Sequence, residues 1–306
     1  MMDLVISLNK PRDITSQKAV SAVKNLLRIK KAGHTGTLDP MATGLLLVCT
    51  GKATRLARYF SSFDKEYSAT MKLGESTDTQ DAYGHITSKV DSIDVDETSL
   101  INVLKSFEGR ITQTPPMFSA LKHKGRPLYK YAREGIEIDR EQRVVNISRI
   151  ELLDFNSPMI KLDVLCSKGT YMRTLCEDIG NKLGVGAHLF ELERTAIGSF
   201  SLSDSLSIEE LRAVTPLNES STGAPGVKGI YTMDSAMSWM PELEVPDQLL
   251  GPVSHGNPIT IKTGMRLSPR LKTAVGIRIK STEGILLAIG SFSAERNMIK
   301  MDIVFC

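Results

Sequence analysis

Two stretches of strict alternation constrain the fold of this chain more than any other feature. In KEYSATMKLG, Tyr67, Ala69, Met71 and Leu73 alternate with Ser68, Thr70 and Lys72, and in MIKLDVLCSKG the apolar set is Ile160, Leu162, Val164 and Cys166. Successive side chains of a strand point to opposite faces, so a period of two marks a half-buried strand. Other segments follow the three- and four-residue steps of an amphipathic helix: Val20, Val23 and Leu27; Leu100, Val103, Leu104 and Phe107; Met172, Leu175, Ile179 and Leu183. Strands and helices in one chain of 306 residues, 41% of them hydrophobic, predict a mixed α/β (α+β) protein with a sizeable core.

The first helix is expected to begin at a Thr15 or Ser16 cap and to end with Gly33 just past its basic end. LLLVC reads as a buried strand, and Ala53, Leu56, Ala57 and Phe60 as one helical face. GESTDTQDAYG reads as a polar loop, and the basic segment TPPMFSALKHKGRPLYKYAREG as an exposed, irregular insertion. Ser207 to Glu210 has the capping-box pattern, and residues 215–229, rich in Pro, Gly and Ser, read as a surface excursion. Beyond about residue 246 the pattern is purely β, in AVGIRIKS, ILLAIGSF and MIKMDIVF, enough for a small barrel-like unit.

Several function classes drop out. No apolar run approaches the roughly 18 to 20 residues of a membrane helix, so a cytoplasmic protein is expected. Cys49, Cys166, Cys176 and Cys306 form no C-x-x-C pair and the five histidines lack zinc-site spacing, so no structural metal is expected. Gly44 to Gly51-Lys52 has six intervening residues where a phosphate loop has four, and GVGAHL follows a helix, which fits a left-handed helix end better than a dinucleotide fingerprint. A net charge of +3 permits a polyanionic partner without requiring one.

Three residues stand out. Asp39, in GHTGTLDPMATG, is the only carboxylate between Asp13 and Asp64, among many cations. It is either a turn aspartate before Pro40 or an ionised carboxylate serving as nucleophile or base. Arg173 lies in the first turn of its helix, where the macrodipole disfavours a cation. It pairs either with Glu177 one turn on or with an anion such as Asp39 or a phosphate. Tyr67 is either a core tyrosine or a platform that stacks on a planar ligand. In the insertion, Lys122, Lys124, Arg126 and Lys130 are interleaved with Tyr129 and Tyr131, a mixture suited to a nucleic-acid backbone.

GHTGTLDPMATGLLLVCTGKATR closely resembles the catalytic motif of the TruB family of tRNA pseudouridine synthases, which isomerise uridine 55 in the TΨC arm. LNKPRDITS resembles the family's Lys-Pro motif, DKEYSATMKLGESTDTQDAYG its tyrosine-bearing strand, and CSKGTYMRTLCEDIG with GAHLFELERTAIGSF its arginine motif and the segment after it. The resemblance implies a pseudouridine synthase fold in residues 1–245, with a largely antiparallel sheet, flanking helices and an RNA-gripping insertion at about 114–143. It implies a PUA-like RNA-binding unit in 246–306. By the same resemblance Asp39 is the essential aspartate, Tyr67 the stacking tyrosine and Arg173 the arginine that pairs with the aspartate. Lys10 and Leu192 occupy supporting positions, and His34 matches the histidine beside the extruded nucleotide. Asp13 stands where the family usually has glycine, and Glu193 where an arginine often precedes Arg194. Isomerisation needs no redox change or group transfer, so no cofactor is expected, and tRNA is the expected partner of a monomer without an obligatory protein partner. Rival readings are an RNA-binding protein without turnover, a synthase acting on another RNA, and a nucleotide-dependent enzyme.

Overall fold

The computed structural model describes residues 2–215, 227–261 and 268–305. The chain opens with β1 (Leu4–Lys10), α1 (Ser16–Leu26), β2 (Ala32–His34), β3 (Thr43–Thr50) and α2 (Ala57–Ser61). β4 (Lys65–Leu73) precedes a hairpin of β5 (Glu75–Thr77) and β6 (Ile86–Lys89), then α3 (Glu97–Lys105) and β7 (Gly109–Gln113). A second hairpin, β8 (Lys122–His123) with β9 (Arg126–Pro127), and α4 (Leu128–Ala132) lead into β10 (Arg143–Asn156) and β11 (Met159–Cys166). α5 (Met172–Lys182), β12 (Ala187–Ile197), β13 (Phe200–Ser201), α6 (Ile208–Ala213), β14 (Ile230–Thr232) and α7 (Met233–Ala236) follow.

Among the described residues, ten strands form one sheet in the order β14-β1-β3-β12-β4-β11-β10-β7, with β2 on β3 and β13 on β12. Its pairings are antiparallel except that of β3 with β12, which touch only at Glu193–Thr43 and Arg194–Gly44. Gly44 sits at φ +98°, and a Cβ there would lie 2.4 Å from the Arg194 carbonyl oxygen. Only glycine lets the two backbones meet at this seam.

The alternation of β4 is realised in full: Tyr67, Ala69, Met71 and Leu73 are buried, together with Lys65 on the same face. They pack with Leu175 and Ile179 of α5 and Leu100 and Leu104 of α3. On the other half of the sheet, Val20 and Val23 of α1 lie against Ile6, Leu46 and Val48. Each such fully buried aliphatic side chain contributes about 1.5–3 kcal/mol of transfer free energy. Thr15 caps α1 by accepting from the Lys18 amide, and Ser207 and Glu210 form the expected capping box.

Several expectations need correction. Helix α1 ends at Leu26, where Arg28 turns the chain at φ 51°, so the Asp39 loop leaves the short strand β2 rather than a helix. GESTDTQDAYG is not simply a loop: it starts with β5 and contains the buried Asp81. The insertion is only partly exposed, because Ser119 and Leu128 are buried.

The tail forms a five-stranded sheet, β15 (Glu242–Val245), β17 (Ile277–Ser281), β18 (Leu286–Ser293), β19 (Met298–Val304) and β16 (Ile259–Thr260) in that order. It is not purely β, since α8 (Leu250–Ser254) and α9 (Pro269–Thr273) belong to it. Its Ile289 and Ile303 share a core with Val5, Leu45 and Phe60 of the large sheet. Most of the surface excursion at 215–229, and Cys306, lie outside the described residues.

Candidate active site

Asp39 projects from the loop between β2 and β3, and that loop is held from several sides. Ser16 Oγ donates to the Leu38 carbonyl at 3.0 Å and accepts from its amide at 2.8 Å. The Asp13 amide donates to the Pro40 carbonyl at 2.8 Å, and Lys10 Nζ donates to the carbonyls of Pro11, Ile14 and Pro40 at 2.8, 2.9 and 3.3 Å. Asp13 adopts φ 66°, a conformation that glycine would adopt without strain.

The Asp39 carboxylate faces Arg173 from α5: Nε to Oδ2 is 2.9 Å and Nη2 to Oδ1 is 3.4 Å. The guanidinium also donates to the Thr79 carbonyl at 3.1 Å and the Phe118 carbonyl at 2.8 Å, and lies 3.7 Å from Asp81. Arg173 is 5% exposed and Asp39 35%, so the cation is fixed inside the protein while the anion keeps an open side. Of the alternatives left by the sequence, the pair with Asp39 is the one formed; Glu177 instead accepts from Gln80.

Tyr67, buried on β4, lines the same cavity as Asp39, its phenol pushed above the ordinary range by burial and pulled back by the nearby Arg194 guanidinium. Arg194, 1% exposed, donates to the carbonyls of Leu45 and Gly36 at 2.7 and 3.1 Å, tying β12 to the Asp39 loop. Asp39, Tyr67, Arg173, Leu192 and Arg194 line one cavity of about 600 Å³, with Arg143 and Lys168 also on its wall. A cavity of this size suits a small ligand or one nucleotide.

Two family models divide this region of the chain. "TruB family pseudouridylate synthase (N terminal domain)" matches residues 24–172, and "tRNA pseudouridylate synthase B C-terminal domain" matches 173–237. The chain belongs to the TruB family. It is 50% identical over 210 residues to tRNA pseudouridine synthase B of Clostridium tetani, a match covering 69% of this chain and 73% of that one. It is 40% identical over 301 residues to the protein of the same name from Pelotomaculum thermopropionicum, covering 96% and 92%. Among solved structures, an H/ACA RNP bound to a substrate RNA containing 2′-deoxyuridine superposes with TM-score 0.73 at 26% identity, covering 100% of this chain and 86% of that one. A Cbf5-Nop10-Gar1 complex gives 0.72 at 29%, covering 99% and 84%.

The other expected site residues of this TruB-family chain are placed differently. Lys10 is fully buried beneath the Asp39 loop, where burial brings its ammonium down to about 8 against the pull of Asp39. His34, half-buried on β2, is outside the cavity wall. Ser119, Ala120 and Leu121 of the insertion line the cavity, whereas Lys122, Lys124, Arg126 and Lys130 do not, and Arg126 pairs with Glu134. Asp81 and Arg194 are given no site role by the sequence. Asp81 lies in a segment without periodicity, but Arg194 stands two residues beyond Leu192, on the same face of a strand, and a cation at an inward position is a usable signal. No group of three or more His, Cys, Asp and Glu among the described residues is arranged to hold a metal, and none of the described helices is long and apolar enough to cross a membrane.

Proposed function

We propose that this chain converts uridine 55 in the TΨC arm of tRNA to pseudouridine, with Asp39 as the reacting carboxylate. The observation that carries the reading is the open-sided Asp39, gripped by a buried Arg173, on the wall of a nucleotide-sized cavity that Tyr67 also lines. The reaction breaks the bond from N1 to C1′, turns the uracil within the site and joins C5 to C1′; C5 gives up its proton and N1 gains one. Asp39 either attacks C1′ or removes the C2′ proton, and both routes need the bare carboxylate that Arg173 holds in place. Tyr67 stacks on the detached base and keeps it from escaping. Leu192 closes the apolar side of the cavity, and Lys10 steadies the loop behind Asp39.

The nucleotide reaches the cavity by leaving its stack, at a cost of a few kcal/mol met by contacts elsewhere on the folded RNA. Lys122, Lys124 and Lys130 on the insertion and the C-terminal sheet supply them, the latter as a PUA-like unit. The relatives named tRNA pseudouridine synthase B support tRNA as the substrate. In this reading the protein acts in the cytoplasm as a monomer, without a partner protein.

The test is tritium release from a tRNA transcript labelled at C5 of uridine, with Asp39→Asn as the comparison. Release by the parent, and a loss of at least about a thousandfold in the variant with RNA binding retained, is expected. A parent that binds the transcript and releases nothing refutes the enzyme reading.

A further inference from the structure

A second cavity, of about 530 Å³, lies at the chain ends of β2 and β3, formed by the residues that precede β2 and follow β3, and plays no part in the chemistry above. Its wall is formed by Met2, Arg28, Ile29, Lys30, Lys31, Gly51, Lys52 and Arg55, so five of its eight residues are cationic. Lys52 and Arg55 are partly engaged, donating to the carbonyls of Phe305 and Val304. The nearby acid Asp3 is occupied as well, accepting from the Lys52 amide at 2.7 Å. Arg28, Lys30 and Lys31 are exposed and have no ion-pair partner among the described residues.

Two features argue that this is more than a solvated charged edge. Arg28 follows the C-cap Leu27 of α1 and adopts φ 51°, a left-handed position where glycine is strain-free. A cation there suits the helix macrodipole, but that accounts neither for Lys30 nor for Lys31, which lie beyond the helix. The second feature is location. Only the three residues of β2 separate Lys31 from Thr35, which lines the candidate active site, a run of about 13 Å of extended chain. A polyanion with one unit in the first cavity would bring its neighbouring charges to the second.

We infer that Arg28, Lys30 and Lys31, backed by Arg55, form a phosphate-binding ledge for the RNA backbone that flanks the nucleotide held beside Asp39. The inference rests on the proposed RNA-modifying reading and deepens it, assigning this surface the sequence-independent part of binding. Exposed side chains of this kind neutralise phosphates and release counterions, so their loss is read most directly in the salt dependence of binding.

The experiment uses the full chain carrying Asp39→Asn, so that RNA binds without turnover, and a fluorescent tRNA transcript titrated over a range of salt concentrations. Combining Arg28→Gln, Lys30→Gln and Lys31→Gln is expected to make the slope of log affinity against log salt shallower by about 2 to 3, at roughly 0.7–0.9 for each lost contact. Lys105→Gln, an exposed cation on α3, serves as the control and leaves the slope unchanged. Arg28→Gly alone, which suits the backbone at that residue, is expected to show one such step and guards against a folding failure of the triple variant. A triple variant with the parental slope overturns the inference. So does one that keeps the slope while losing adherence to phosphatidylserine vesicles, which would assign the ledge to a membrane surface. Failure of the underlying function shows separately, as a parent that releases no tritium.

Discussion

Arg173 Nε lies 2.9 Å from Asp39 Oδ2, a buried cation against an anion that is one-third exposed. The asymmetry means that the arginine depends on the pair more than the aspartate does. Arg173 also donates to the carbonyls of Thr79 and Phe118, which a lysine cannot serve simultaneously with the same planar geometry. Arg173→Lys is therefore expected to lower single-turnover tritium release by roughly two to four orders of magnitude and to lower the melting temperature as well. A variant that loses stability but keeps its rate would mean that the pair is structural only.

Asp81 faces the same guanidinium from 3.7 Å and is 10% exposed. Asp81→Asn removes one of two negative charges around Arg173, and the remaining attraction then centres on Asp39. The expected result is a reduced rate with little change in RNA affinity, measured under single-turnover conditions with tRNA in excess. An affinity loss matching the rate loss would instead make Asp81 part of the RNA contact.

Tyr67→Phe keeps the ring but removes a buried hydroxyl beside the Arg194 guanidinium, at a cost of about 1–3 kcal/mol. The variant is expected to unfold at lower temperature and release tritium more slowly, yet bind tRNA like the parent. Tyr67→Leu, which also removes the stacking face, should be slower still. Equal rates in the two variants would rule out a stacking role for the ring.

Burial holds Lys10 at about 8, against an ordinary 10.5. Between these values the unfolded chain carries the extra proton, so raising the pH through that window favours the folded state at this residue. Catalysis should move the opposite way, because the charged Nζ grips the Pro40 carbonyl next to Asp39 more strongly than the neutral amine does. A decline of the rate above about pH 8 is expected, and Lys10→Met should abolish that limb of the profile. Lys65, also held near 8 by burial, bonds the carbonyls of Ser61 and Phe63 instead, so Lys65→Met should preserve the limb.

Much of this arrangement was legible from local pattern. β4, β11, α3 and α5 each bury one face, so a period of two or of three to four appears directly in their residues. β1 is buried almost throughout and so shows no alternation, and β10 is largely exposed along its length; both escaped notice for opposite reasons. Asp39 was conspicuous because it interrupts a run of cations, whereas Asp81 acquires meaning only when α5 brings Arg173 to it. The early end of α1 is set by Arg28 in a left-handed conformation, for which its residue type offers no warning.

Gly44→Ala tests the seam between the halves of the sheet. At φ +98° and with Arg194 backbone atoms 2.4 and 2.7 Å from the added carbon, strain and overlap together should cost about 2–5 kcal/mol. A markedly lower denaturation midpoint is expected in urea. A parental midpoint would show that β3 and β12 can move apart freely.

That seam also bears on how the protein is made. Lys10 on β1 and Asp39 on the loop before β3 lie on one side of it, Tyr67 on β4 and Arg173 on α5 on the other, and Asp39 and Arg173 are 134 residues apart in the chain. During synthesis the carboxylate emerges long before its arginine, and the wall carrying Arg194 emerges later still. A ribosome-bound or truncated product ending short of β12 would hold Asp39 without the full wall of the cavity it lines. Activity should therefore appear abruptly with chain length rather than accumulate as the polypeptide grows.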